Sequence, residues 1–271
     1  MGIINVTPDS FSDGGRYLST AAAVARGEEL ILEGATILDI GGESTRPYAD
    51  PVPYGEEVAR VVPVIEALSY ARLSVDTSKA AVATAALKAG ATYVNDVTAF
   101  RNDPNMAQVV AEAGAECCLM HMLGDPRTMQ DDPRYTDVVS EVKAFLEARL
   151  AFAVAEGIPE ERVYLDPGIG FGKTPAHNLE LLDRLDELVA LGRPLVVGAS
   201  RKAFLGSITG RTDPADRAAA TAAANVLAFE RGARVFRVHD VAVSRDALLV
   251  AAATLRRPWP TTSSTSTTTT T

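Results

Sequence analysis

The sequence predicts an α/β protein whose single domain is a (β/α)8, or TIM, barrel. Three observations support this architecture: a chain of 271 residues, a glycine-containing junction that recurs between helical and β-rich segments, and eight strand-like segments that alternate with helical ones. A flavodoxin-like or Rossmann sheet would need fewer strand–helix units, so eight units favour a closed barrel. We place the barrel at residues 1–257 and expect residues 258–271 to be a disordered tail, because the terminal run TTSSTSTTTTT has no apolar group to bury.

The recurring junction is a glycine that ends a helical stretch and leads into a β-rich run. It occurs in EGATILDI, AGATYVND, AGAECCLM, LGRPLVVG and RGARVFRV, with EGIPEERVYLD as a looser copy. Glycine tolerates the left-handed conformation just past a helix end, and the apolar run after it suits a strand buried on both faces. Each copy therefore predicts the end of one helix and the start of the next strand.

These junctions and the N-terminal segment place the eight strands along the chain. We predict them around residues 2–5, 35–40, 72–76, 92–96, 115–121, 163–166, 195–199 and 235–239. Thr174 before Pro175, and Asp213 before Pro214, predict helix starts with an N-cap residue ahead of proline. In the first of these helices, apolar residues at helical spacing predict one buried stripe: Leu181, Leu182, Leu185, Leu188 and Val189.

Composition and charge restrict the classes of partner and compartment. The formal net charge is −9 and the pI about 4.9, with acidic residues scattered along the chain, which argues against nucleic acid or an anionic membrane as a partner. No long apolar run predicts a membrane span and no N-terminal pattern predicts a secretory signal, so we expect a cytoplasmic location. Cys117 and Cys118 are adjacent in an apolar run, so we expect two buried thiols on opposite faces of a strand and no disulfide.

Polar residues stand at the carboxyl end of every predicted strand. An Asp or Asn at one strand end is ordinary in an N-cap or an Asx-turn, but here all eight strands contribute. In a closed barrel these ends share one rim, where active sites of this architecture lie. The residues are Asn5, Asp39, Asp76, Asn95 with Asp96, His121, Asp166, Ser200 with Lys202, and Arg237 with His239.

The residue types at this rim suit a ligand with two different ends. Carboxylates and amides at strand ends match a planar heterocycle with several hydrogen-bond donors and acceptors. We expect positive charge on the side opposite the carboxylates, where it would bind a diphosphate, from Lys202, Arg237 and His239. The side-chain oxygen of Asn5 suits Mg²⁺, which takes few protein ligands. The segment PGIGFGKT is not a Walker loop, because the first glycine required falls at Pro167.

On its strand-end motifs, the chain resembles the dihydropteroate synthase family of pterin-binding barrels. The motifs are NVTPDSFSDGG (5–15), DIGGESTRP (39–47), SVDT (74–77), ND (95–96), LMHM (119–122), LDPGIGFGK (165–173), GASRK (198–202) and RVHD (237–240). The resemblance implies a transferase that condenses (7,8-dihydropterin-6-yl)methyl diphosphate with 4-aminobenzoate, giving 7,8-dihydropteroate and diphosphate in folate biosynthesis. It also implies Mg²⁺ as cofactor, a homodimer and sulfonamides as inhibitors.

The resemblance also implies roles for individual residues. Loss of diphosphate would leave a pterin methylene cation that the aromatic amine traps, so electrostatic stabilisation would be the main catalytic effect. The implied catalytic residues are Asp13, Arg46 and Lys202. The implied pterin pocket is Asp76, Asn95, Asp166 and Lys202, the diphosphate contacts are Thr45, Arg237 and His239, further substrate contacts are Phe171 and Ser200, and Asn5 is associated with the metal.

The chain departs from the family pattern at two places. Position 203 is Ala where some relatives carry Ser, so the 4-aminobenzoate carboxylate would contact Ser200 or backbone N–H groups at the following helix start. The family usually has more chain before strand 1, so we expect either a truncated start or an open barrel floor.

Two other functions stay open on sequence grounds. A methyltetrahydrofolate-binding methyltransferase of the same superfamily would share the Asp and Asn pterin contacts, but the diphosphate-binding cations favour the synthase. The second alternative is a non-catalytic homologue that binds pterin or a partner protein. The presence of Asn5, Arg46, Lys202, Arg237 and His239 argues against it.

Two loops are predicted to be lids over the site rather than ordinary solvated loops: the loop after strand 1, with Phe11 and Asp13, and the loop after strand 2, with Thr45, Arg46 and Pro47. Asp13 would face the developing cation and Arg46 would hold Asp13 or the departing diphosphate. We therefore expect Asp13→Ala to slow diphosphate release in single-turnover kinetics. An unchanged rate would contradict the lid role.

Overall fold

The computed structural model describes residues 1–6, 20–44 and 49–256, in which eight strands alternate with helices. The strands are β1 (Gly2–Asn5), β2 (Leu38–Gly41), β3 (Leu73–Asp76), β4 (Tyr93–Asp96), β5 (Glu116–Met120), β6 (Val163–Asp166), β7 (Val196–Val197) and β8 (Val235–Phe236). The helices are α1 (Thr20–Leu32), α2 (Tyr54–Ala67), α3 (Ala80–Ala89), α4 (Met106–Ala113), α5 (Val138–Ala155), α6 (Pro175–Asp183), α7 (Asp186–Val189), α8 (Ala203–Thr209), α9 (Ala218–Glu230) and α10 (Val241–Leu255), with 3₁₀ turns at Glu160–Arg162 and Pro214–Arg217.

The strands form a closed ring. Strands β1 to β6 are parallel neighbours in sequence order, and β7 pairs in parallel with β8. A parallel bridge between Leu165 and Leu195 joins β6 to the β7 segment, and a second bridge between Gly2 and Val238 joins β8 to β1. The backbone N–H of Ile3 donates to the carbonyl of Val238 at 3.0 Å, which adds a hydrogen bond between β1 and the segment after β8. The predicted (β/α)8 barrel is confirmed.

The strands are buried on both faces, as the apolar runs in the sequence predict. Cys117 packs in the main core between barrel and helices, whereas Cys118 packs with Tyr93 and Val196 in a separate cluster inside the ring. Adjacent residues of a strand point to opposite faces, which explains this division. Both thiols are free and buried, as expected. None of the helices in the described part of the chain is long and apolar enough to span a membrane.

The repeated glycine has the backbone conformation that the junction pattern predicts. All six copies have positive φ, from 58° at Gly114 to 119° at Gly90, where non-glycine residues are disfavoured. Gly90 and Gly114 are the C-caps of α3 and α4. Six of the seven helix-to-strand junctions therefore carry such a glycine; the junction from α2 to β3 does not.

Helix α6 starts with the predicted cap. Thr174 Oγ1 accepts a hydrogen bond from the His177 N–H at 3.2 Å, and His177 Nδ1 accepts from the Thr174 N–H at 3.3 Å, which forms a capping box. Asp213 caps the 3₁₀ turn Pro214–Arg217 rather than the helix that follows it. The predicted leucine stripe is buried, but it is shared between α6 and α7 because the helix is interrupted near Arg184.

We expect Thr174→Ala to lower the free energy of unfolding by about 1 kcal/mol, because the first turn of α6 loses the side-chain acceptor of its N-cap. Urea unfolding measures the change. Thr254→Ala is the matched control: this exposed side chain in α10 bonds the Val250 carbonyl of its own helix, and its loss should cost less than about 0.5 kcal/mol. Equal losses in both variants would argue against the cap.

Candidate active site

A cleft opens at the carboxyl ends of the strands. Its apolar wall includes Val97 and Met120. Five of the substrate residues predicted from the sequence line it together: Asn95, Asp166, Phe171, Lys202 and Arg237. Residues separated by as many as 142 positions therefore meet at one place, as barrel closure requires (237 − 95 = 142).

The alternation of side chains along each strand decides which strand-end residues reach the cleft. Tyr93 and Cys118 lie in the cluster inside the ring, so residues two positions further along their strands also face inward. Inward residues at the rim are Asn95 of β4 and Met120 of β5, which line the cleft. Asp96 and His121 have the opposite parity and are buried outside the ring, so the rim residues form two groups rather than one.

Arg237 holds the acidic side of the cleft together. Its Nε donates to Asp39 Oδ2 at 2.6 Å and its Nη2 donates to Asp76 Oδ2 at 2.6 Å. Asp39 also accepts from Asn95 Nδ2 at 3.0 Å and from the hydroxyl of Ser74 at 2.5 Å. The sequence placed Asp39 at a strand end without assigning it a role. Its role here is structural: it orients one predicted pterin residue, Asn95, and the arginine that bonds another, Asp76.

The charges in this network shift each other's pKa. Burial opposes the charge of Arg237, but Asp39 and Asp76 outweigh it and raise the arginine pKa above its ordinary value. Burial raises the pKa of Asp76, and Arg237 opposes that rise. The expectation that Arg237 lies on the side opposite the carboxylates is wrong, because its guanidinium is bonded to two of them.

Asp166 and Lys202 carry opposite charges on the other side of the cleft. Burial raises the pKa of Asp166 to about 6, and the Gly168 N–H, which donates to its Oδ1 at 2.6 Å, limits the rise. Burial and Arg237 lower the pKa of Lys202 to about 8. At pH 7 the carboxyl is therefore mostly ionised and the amine mostly protonated.

Phe171 is brought to the cleft by the glycine-rich loop 167–173, which follows β6. Lys202 Nζ lies 4.0 Å from the centroid of the Phe171 ring, a cation–π contact. Gly168 has φ +66°, and a Cβ added there would lie 1.8 Å from the carbonyl oxygen of His121, so only glycine fits.

Ser200 and His239 connect the ends of β7 and β8. The Ser200 hydroxyl lies 2.9 Å from His239 Nδ1 and accepts a hydrogen bond from the His239 N–H at 3.1 Å. Burial, together with Arg201 and Arg237, lowers the pKa of His239 to about 3. The expectation that His239 supplies positive charge is therefore wrong near pH 7, where its ring is neutral and acts as a hydrogen-bonding group.

Asn5 ends β1, in register with Gly41, which is in register with Asp76. Asn5 is half-buried, and its side chain is on the same face of the sheet as the cleft residues. Its amide oxygen suits a hard cation that takes few protein ligands. Among residues 1–6, 20–44 and 49–256, no group of three or more His, Cys, Asp or Glu side chains is arranged to hold a metal ion. The predicted residues Asp13, Thr45 and Arg46 lie outside the described residues, as do Phe11 and Pro47.

Comparisons with known proteins identify the family of the chain. The family model described as "pterin binding enzyme" matches residues 1–239. Dihydropteroate synthase of Xanthomonas albilineans, solved with 4-aminobenzoic acid, is 50% identical and has a TM-score of 0.89, with 95% of this chain and 93% of that one covered. The same organism's enzyme in complex with 7,8-dihydropteroate is 48% identical with a TM-score of 0.86, covering 95% and 94% of the two chains.

A curated relative agrees with these structures. Dihydropteroate synthase of Mycobacterium leprae is 48% identical over 263 residues, which cover 94% of this chain and 93% of the relative. The chain therefore belongs to the pterin-binding enzyme family, and within it to the dihydropteroate synthases.

Proposed function

We propose that this protein condenses (7,8-dihydropterin-6-yl)methyl diphosphate with 4-aminobenzoate, giving 7,8-dihydropteroate and diphosphate for folate biosynthesis. The observation that carries the proposal is the convergence of Asn95, Asp166, Lys202 and Arg237 on one cleft, with Asp76 bonded to Arg237. The ligands of the two solved relatives, 4-aminobenzoic acid and 7,8-dihydropteroate, support it.

The pterin would lie in the acidic half of the cleft. Asp166 presents a buried carboxylate, which suits the N–H donors at the aminopyrimidine edge of the ring. Asn95 is oriented by Asp39 and offers an amide oxygen to a further ring donor. Lys202 stands on Phe171 and donates to ring acceptors. Specificity follows because an analogue without these groups would leave buried polar atoms unpaired.

The diphosphate would lie toward β1, β7 and β8, where Asn5 ends β1, Ser200 follows β7 and His239 follows β8. Because Arg237 already bonds two carboxylates and His239 is neutral, their contribution is hydrogen bonding rather than free positive charge. Asn5 would hold Mg²⁺ together with substrate phosphates. When bound, the cation would stabilise the negative charge that develops on the leaving group.

The chain's own residues would act mainly by orientation and electrostatics. The bond between the pterin methylene carbon and the diphosphate oxygen breaks, and the electron pair leaves with the diphosphate. The ionised Asp166 faces the electron-poor pterin, while Lys202 keeps its ammonium on Phe171 at the cleft wall. The aromatic amine then forms the new C–N bond and loses one proton. Asp13, Thr45 and Arg46 keep the roles that the resemblance implies, as part of the proposal.

Two further parts of the proposal rest on the sequence. We propose a homodimer, on the family resemblance, and a cytoplasmic location. Both stay predictions.

A coupled assay of pyrophosphate release, with both substrates and Mg²⁺, tests the function. We expect release that requires 4-aminobenzoate. Pterin binding without release would instead indicate a non-catalytic binder, and methyl transfer to a corrinoid without release would indicate the methyltransferase.

We expect Asp166→Asn and Asp166→Ala to weaken pterin binding on the order of a hundredfold, because a charge-assisted hydrogen bond to the ring is lost in a buried site. Isothermal titration calorimetry with the pterin alone measures this. Asp186→Asn, at an exposed position of α7, is the control and should bind normally. Unaltered binding by the Asp166 variants would remove Asp166 from the pocket.

Pterin affinity should also depend on pH in a way that identifies Asp166. Because its pKa is about 6, the carboxylate becomes protonated as the pH falls from 7 to 5, and affinity should fall by about tenfold for each unit below that pKa. Lys202, with a pKa of about 8, stays protonated over this range. Asp166→Asn should flatten the profile; a profile that keeps its slope in this variant would assign the titration to another group.

A further inference from the structure

Lys173, at the end of loop 167–173, is buried and has no part in the proposed chemistry. The whole residue is 3% exposed to solvent. Its Nζ lies 2.9 Å from His121 Nδ1 and donates to the carbonyl oxygen of Phe171 at 3.0 Å. These contacts join the end of the loop to the end of β5 and to the residue whose ring lines the cleft.

Burying the Lys173 ammonium is unfavourable, because its two hydrogen-bond partners are neutral. Burial and the nearby Lys173 charge lower the pKa of His121 to about 2, so the ring is neutral and its Nδ1 accepts the hydrogen bond. The other partner is a carbonyl, also neutral. Burial lowers the pKa of Lys173 to about 7, which reflects the desolvation cost of an ammonium at this position; the Asp166 carboxylate opposes the fall and the charge of Lys202 adds to it. A methionine would fill the same space without that desolvation cost, so packing alone does not account for a lysine here.

His121 contacts both ends of the loop. Its N–H donates to the carbonyl of Asp166 at 3.0 Å, and its own carbonyl lies against Gly168, the residue that bonds the Asp166 carboxylate. Its ring reaches Lys173 at the other end. The His121 ring also contacts Tyr135 and Phe145, which do not line the cleft.

The middle of the loop is pinned by neighbouring elements. Gln130 Nε2 donates to the Gly170 carbonyl at 2.6 Å, and the Gly170 N–H donates to Asn178 Oδ1 at 2.7 Å. The Tyr135 hydroxyl donates to the Gly172 carbonyl at 2.8 Å. Of the side chains in these bonds, Lys173 is the one that bonds the backbone of Phe171.

We propose that Lys173 and His121 are positioning residues, which hold loop 167–173 so that Asp166 and Phe171 face the substrate. The identity of that substrate rests on the proposed function. Neither residue touches the reacting atoms; the pair acts through the loop, and its loss would misplace two residues of the cleft wall without removing them.

Two substitutions of His121 separate this role from simple aromatic packing, since the His121 ring also stands edge-on to Phe145 at 4.9 Å. His121→Asn keeps an acceptor near the position of Nδ1 and removes the ring, whereas His121→Phe keeps a ring and removes the acceptor. Lys173→Met removes the donor at similar volume. Lys88→Met, at an exposed position of α3, is the control for loss of a lysine.

We expect Lys173→Met and His121→Phe to weaken pterin binding and raise KM about tenfold or more, since small displacements in a site have effects of this size. His121→Asn should stay within about threefold of wild type, and Lys88→Met should equal it. Wild-type constants for Lys173→Met, or a normal His121→Phe beside an impaired His121→Asn, would overturn the proposal. If either single variant does not fold, the double variant Lys173→Met/His121→Phe, which removes donor and acceptor together, should show the same loss.

Hydrogen–deuterium exchange of loop 167–173 gives a readout that needs no substrate. Exchange should become faster in Lys173→Met and His121→Phe and stay unchanged in Lys88→Met; unchanged exchange in all variants would contradict the positioning role. A wild-type protein that neither binds pterin nor releases diphosphate would overturn the proposed function instead, and the exchange result would still decide this inference.

Discussion

The bonds of Arg237 to Asp39 and Asp76 are the constraint on which the cleft depends. Without the guanidinium between them, two buried carboxylates would repel each other inside the ring. Such buried ion pairs add little net stability, because desolvation offsets the attraction, but removing one partner is strongly destabilising. The arrangement therefore orients rather than stabilises. It ties β8 to β2 and β3 across the barrel interior, and through Asp39 it also orients Asn95.

The cleft combines an acidic half with local cations in a chain of net charge −9. The positive charge of Arg237 is already engaged by carboxylates, and the ring of His239 is neutral, so among the described residues of the cleft wall Lys202 is the cation that remains. The Lys202 ammonium on the Phe171 ring and an ionised Asp166 give this part of the site a polarity that matches a neutral heterocycle carrying an anionic leaving group. The charge that a residue presents to the substrate therefore depends on its neighbours in the fold as well as on its residue type.

Strand parity divides the rim into a layer that meets the substrate and a layer that supports it. Asp96 illustrates the second layer: its carboxylate accepts from the N–H groups of Thr98 and Phe100 at 2.7 and 2.9 Å, and so holds Ala99 and Phe100 in left-handed conformations. That turn carries Val97, part of the apolar wall. His121 does the same for the loop after β6. Some polar residues at strand ends therefore face the substrate, and others hold the loops that carry cleft residues.

The sequence by itself determined the barrel and most of the cleft. Six glycines at helix-to-strand junctions set the period of the fold, because positive φ is a local requirement, and the order of motifs placed Asn95, Asp166, Lys202 and Arg237 at one rim. Only the tertiary structure decided that Arg237 bonds Asp39 and Asp76, that His239 is neutral, and that Lys173 is buried against His121. The reason is physical: pairing and pKa depend on burial and on distances of a few ångströms between residues far apart in the chain, which no local pattern encodes.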